Sequence, residues 1–221
     1  MTITRTSTRT PQVDAPRRRT AAAAGAYVGA WLVGLALAPA APAPDAAAAD
    51  IARHYLDNAP GVLASSALVH GAAGVALAVF ATSLAQSVRA HGGLRRAVTG
   101  TGIAASILSL AQVAIAASAT AVADSDGEST TNLFHALNLV DVLKIALLAS
   151  FVLVATTATG RARRLPRWLR LLAATLAPTL IVGSAALVAP SPVLSAALAA
   201  SLIGLLIWVG SFGVLVRRGN G

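Results

Sequence analysis

Six long apolar stretches, parted by short polar breaks, organise the chain. They cover residues 21–38, 62–88, 97–123, 132–157, 169–189 and 193–216. An α-helix rises about 1.5 Å per residue, so about 20 apolar residues cross the roughly 30 Å hydrocarbon core of a bilayer. The pattern therefore predicts an all-α, polytopic membrane protein with six transmembrane helices. Residues 1–20, MTITRTSTRTPQVDAPRRRT, have no apolar period and are expected to form a disordered N-terminal tail, and 217–221 a short C-terminal one. Only one break is long. Within 39–61, the run DAAAADIARHYLD suits a short helix capped by Asp45 or Asp50, with Ile51, Tyr55 and Leu56 on one side. It is expected to lie on the membrane interface with Tyr55 at headgroup depth. A second reading of the N-terminus is a signal peptide: Arg17–Arg19, an apolar run, then APAAPAP as a cleavage-like tail. The length of the apolar run favours an uncleaved first span.

Composition agrees with the pattern. The chain is 56% hydrophobic and 11% charged, against about a quarter charged in ordinary soluble proteins. A net charge of +9 raises the question of nucleic acid. The arginines are scattered in clusters between apolar blocks, which excludes a folded basic face. The lipid bilayer is the expected partner, with a second copy of the chain or another membrane protein as further candidates. Cysteine is absent, which removes disulfides, thiolate metal sites and cysteine nucleophiles together. The preference for Ala, Gly and Arg over Lys suits a GC-rich bacterial genome and points to the bacterial cytoplasmic membrane.

The charges then orient the spans. With both termini in the cytoplasm, fifteen of the seventeen basic residues fall inside, leaving out Arg53 and Lys144. Asp45, Asp50, Asp57, Asp124, Asp126 and Glu128 fall outside, six of the eight acids. This obeys the positive-inside rule at every loop. Trp168 and the arginines of TGRARRLPRWLR suit an anionic inner leaflet.

The fourth span is the anomaly. It carries His135, Asn138, Asp141 and Lys144, the chain's sole lysine. Its fourteen large apolar residues between 133 and 154 favour insertion by about 4 to 8 kcal/mol, while Asp141 and Lys144 cost about 5 to 7. The span is near break-even alone, so its polar side chains should face the bundle interior. Asp141 and Lys144 are three residues apart and can pair within one helix. His70 in the second span and Gln112 in the third fall at similar depth, about 9–17 Å below the outer edge. The candidate ligand-binding or proton-linked cluster is thus His70, Gln112, His135, Asn138, Asp141 and Lys144. The row 132, 135, 138, 141, 144 steps back by about 60° each time, so it winds round the helix and one neighbour cannot satisfy it. The plain alternative is a set of polar contacts that only fix helix packing. Pro178 is expected to kink the fifth span.

No metal site and no cofactor are expected: HExxH is absent, and His70 and His135 stand alone on their helices at different depths. No GxSxG occurs, and nothing points to an enzyme. The layout, the first-loop helix ADIARHYLDNAPG and the LPRWL before the fifth span resemble the six-span bacterial integral membrane proteins of the DUF4386 family. That family has no assigned reaction, so the resemblance carries no catalytic residue here. The sequence leads to a small transport-like or ligand-sensing membrane protein with a polar site in the outer half of the bundle. The alternative is a structural or regulatory membrane partner.

Overall fold

The structure is a computed structural model that describes residues 14–87, 92–162 and 165–218. The expected tail over 1–13, the last three residues and Arg5, Arg9, Arg89, Arg163 and Arg164 lie outside the described residues.

Among the described residues the regular structure is all helical, with no strand. Its helices are α1 (Asp14–Leu37), α2 (Ala48–Asp57), α3 (Ala59–Ser66), α4 (Ala73–Ser87), α5 (Gly92–Val122), α6 (Gly127–Ala162), α7 (Arg167–Ser184) and α8 (Pro192–Arg218). A π-helical turn, Ala67–Ala72, joins α3 to α4. Six segments are long and apolar enough to cross a membrane: α1, the run Ala59–Ser87, α5, α6, the run Arg167–Leu187, and α8. Large apolar side chains such as Leu32, Val75, Ile107, Leu143, Ile181 and Ile203 point out of the bundle. In water that belt would be an unstable surface; against acyl chains it is the natural one. The chain is a multi-pass membrane protein.

Local chemistry explains the helix ends. α1 begins at Asp14, inside the stretch expected to be disordered, with Pro16 in its first turn. It stops at Leu37, just short of the run containing Pro39, Pro42 and Pro44. α6 starts behind Asp126, whose Oδ1 accepts the Ser129 backbone N–H at 2.9 Å. α7 follows Pro166, and α8 opens on Pro192. α7 runs through Pro178 as one helix.

Each span packs against its neighbours in the chain, and α8 returns to α1. The result is a closed up-and-down ring. The half of the ring near the termini is filled by aromatic rings: Phe80–Phe151 at 5.9 Å, Phe151–Trp208 at 6.0 Å and Trp208–Phe212 at 4.3 Å between centroids. Close approach elsewhere depends on glycine. A Cβ at Gly183 would lie 2.7 Å from the Leu198 backbone N, so α7 and α8 meet there backbone to backbone.

At the opposite end α2 lies across α5 and α6. Its Ile51 and Tyr55, four residues apart on one face, are buried with Val62, Ala119, Ala123 and Phe134. Tyr55 is packed inward, because α2 turns its narrow apolar face onto the bundle.

Candidate functional site

Lys144 is the centre of the site. The side chain is almost completely buried, and its Nζ has three acceptors within reach. Asp141 Oδ1 lies at 2.5 Å on the same helix, Gln112 Oε1 at 2.7 Å on α5, and His70 Nδ1 at 3.2 Å on the π turn. An ammonium has three N–H donors, so these three partners satisfy it completely. With Nζ donating, His70 Nδ1 accepts and the imidazole proton sits on Nε2. The cluster thus joins three spans at one atom.

The backbone is adapted to it. His70 lies in the only π-helical segment among the described residues. A π turn inserts an extra residue and swings the side chains on it relative to an ideal helix, a feature common at functional sites. Gly34 of α1 lets this wider turn approach: a Cβ there would meet Val69 Cγ2 at 2.6 Å and the Val69 backbone N at 3.2 Å.

A cavity of about 330 Å3 stands over the cluster. His70, Asp141 and Asn138 form its polar floor, Trp31, Leu198 and Leu202 line its flank, and α2 closes over it with His54 and Tyr55. Lys144 and Gln112 do not line it. They lie behind Asp141, which keeps 21% of its side-chain surface open against 4% for Lys144. Two lining residues are deeply buried and unbonded. Asn138 is 8% exposed and makes no side-chain hydrogen bond among the described residues. Ser66 is 6% exposed and its hydroxyl has no partner. Ser65, Ser106 and Ser109, by contrast, donate to backbone carbonyls of their own helices.

Of the six residues picked from the sequence, His70, Gln112, Asp141 and Lys144 meet directly, and Asn138 sits one turn along α6, facing the cavity. His135 does not join them. It is exposed beside Phe134, with ring centroids 5.6 Å apart. Nine residues separate it from Lys144, which is half a revolution in an ideal helix. Since Lys144 points inward, His135 must point out. Trp31, Tyr55 and Ser66 were not among the candidates. The spacing of Ile51 and Tyr55 could have found one of them; Trp31 and Ser66 carry no such signal.

At the mouth, burial lowers the His54 pKa from its ordinary 6.5 and raises that of Tyr55. Further out, the Ser129 hydroxyl and backbone N–H hold the Asp126 carboxyl below the usual range. Among the described residues no three His, Asp or Glu side chains gather as a metal-binding set. No protein-family model matches the chain, and comparison with curated proteins and with solved structures returns no match.

Proposed function

We propose that this is a small transport-like or ligand-sensing protein of the bacterial cytoplasmic membrane, with its termini inside and its cavity open to the outside. A small molecule enters under α2 and sets its polar group on Asp141, Asn138 and Ser66. The His70–Gln112–Lys144 cluster behind them holds the carboxylate in place and couples any change there to α4, α5 and α6. Broken helices and ionisable groups near the membrane centre are the usual marks of a solute or proton site.

The observation that carries this reading is the cavity of about 330 Å3 itself, whose floor holds a part-open carboxylate, Asp141, beside an Asn138 side chain with no hydrogen bond among the described residues. Buried unbonded groups at Thr156, Thr159 and Trp208 belong to the packed interior; Asn138 and Asp141 differ because a cavity stands in front of them.

The chain has no cysteine, so single cysteines report cleanly. Asn138→Cys should react in intact cells with a membrane-impermeant methanethiosulfonate, as should a Ser125→Cys control in the adjacent loop. Failure of the Asn138 thiol to react from either side, with Ser125→Cys labelled, would mean a sealed polar pocket and overturn the reading. Labelling of both from the cytoplasmic side alone would reverse the orientation.

A further inference from the structure

We infer that the cavity takes a small organic monocation, an ammonium head on an apolar body; this rests on the binding reading above and names its ligand class. Three observations lead there. The ion pair at the floor is turned so that the carboxylate faces the cavity and the ammonium lies behind it. A ligand therefore meets negative charge first. Trp31, Tyr55 and Phe134 also line the space, from three different elements. Aromatic faces attract cations, and ammonium groups with apolar substituents are the ligands such walls suit. Finally, the rim on this side is acidic. Asp45, Asp50, Asp57, Asp124, Asp126 and Glu128 are all exposed there against one arginine, Arg53, which is itself held by Asp50 at 3.4 Å. Such a field steers cations in and turns anions away.

The rest of the lining sets size and shape. At about 330 Å3 the space is near the lower end of ligand pockets, about 300–1,000 Å3. Leu198 and Leu202 receive the apolar body, while Asn138 and Ser66 offer hydrogen-bond acceptors to N–H groups that a primary or secondary ammonium would carry.

The test uses the full chain in nanodiscs of zwitterionic lipid and isothermal titration calorimetry. The probes are benzylammonium, the neutral benzamide and the anionic phenylacetate. The expected result is saturable binding of the cation, at least tenfold tighter than the neutral compound, and none of the anion. Because Asp141→Asn alone strands Lys144, the decisive variant is the double change Asp141→Asn with Lys144→Met, which leaves no stranded charge. It should lose the tenfold preference while eluting as the folded protein does. Leu143→Ala, on the outer face of α6 and away from the cavity, is the control and should retain both the binding and the preference. Equal or tighter binding of the neutral or anionic probe, an unchanged preference in the double variant, or no saturable binding of the cation overturns the proposal. Where the Asn138→Cys thiol is nevertheless open to reagent from outside, only the ligand class falls and the binding reading stands.

Discussion

Lys144 Nζ lies 2.5 Å from Asp141 Oδ1, three residues away on α6, and both charges sit inside the bundle. Two opposite charges so placed act as one neutral unit in a medium that tolerates neither alone. Single changes should therefore harm more than the double. Asp141→Leu or Lys144→Leu should each cost about 3–5 kcal/mol, as breaking a buried pair does, and the double variant clearly less. Thermal melts in detergent, followed by tryptophan emission, measure the difference. Equal losses in all three variants would show that the pair is not coupled.

Gln112 makes a separate prediction. Its Oε1 is a short acceptor for Lys144, while its Nε2 is buried without a hydrogen bond. Gln112→Leu removes both ends and leaves one Lys144 N–H unmet. The expected loss is about 1–3 kcal/mol in the same melts. It should shrink when combined with the Asp141→Leu, Lys144→Leu double, because the donor has gone.

Gly183 tests the ring. An added Cβ would sit 2.7 Å from Leu198 N and 2.8 Å from Leu198 Cα, and backbone cannot swing aside. Gly183→Ala should destabilise by about 1–3 kcal/mol through overpacking. Gly29→Ala is the control. Nothing lies within 4 Å of that position, and alanine is the better helix former by about 1 kcal/mol. A neutral Gly183→Ala would mean that α7 and α8 are further apart than described.

The cavity roof has a pH dependence of known sign. His54 has a folded pKa depressed by burial, so the unfolded chain binds the proton more readily. Its contribution is complete above the ordinary value of 6.5 and is lost as pH falls through the folded pKa. Asp126 behaves alike at lower pH: its contribution is present above the ordinary 3.8 and goes as pH drops through the depressed value. The protection of the α2 amides, taken against the intrinsic exchange rate at each pH, should therefore fall between pH 7.5 and 5, and His54→Gln should remove that change. Protection at the start of α6 should fall only in stronger acid.

The spans and much of the site were legible because their physics is local. A run of apolar residues long enough to cross lipid can be read directly, and so can an acid and amine three apart on one helix. The convergence of His70, Gln112 and Lys144 followed from depth alone. Depth says nothing about rotation, which is why His135 was grouped with them although it stands half a turn away. The start of α1 was missed because polar residues extend a helix as readily as they end one. The π turn at His70, the inward rotation of α2 and the place of Trp31 depend on how non-neighbouring helices press together. No window of sequence holds that information.

The most direct measurement uses the fact that Lys144 is the chain's single lysine. Protein labelled with 15N-lysine has one Nζ signal, which reports the hydrogen bonding of that atom and its exchange with water. The structure predicts one signal in slow exchange with water, moved separately by His70→Gln, Gln112→Leu and Asp141→Asn. A signal in fast exchange, with the shift of a free lysine and indifferent to all three changes, would contradict the three-helix cluster and everything built over it.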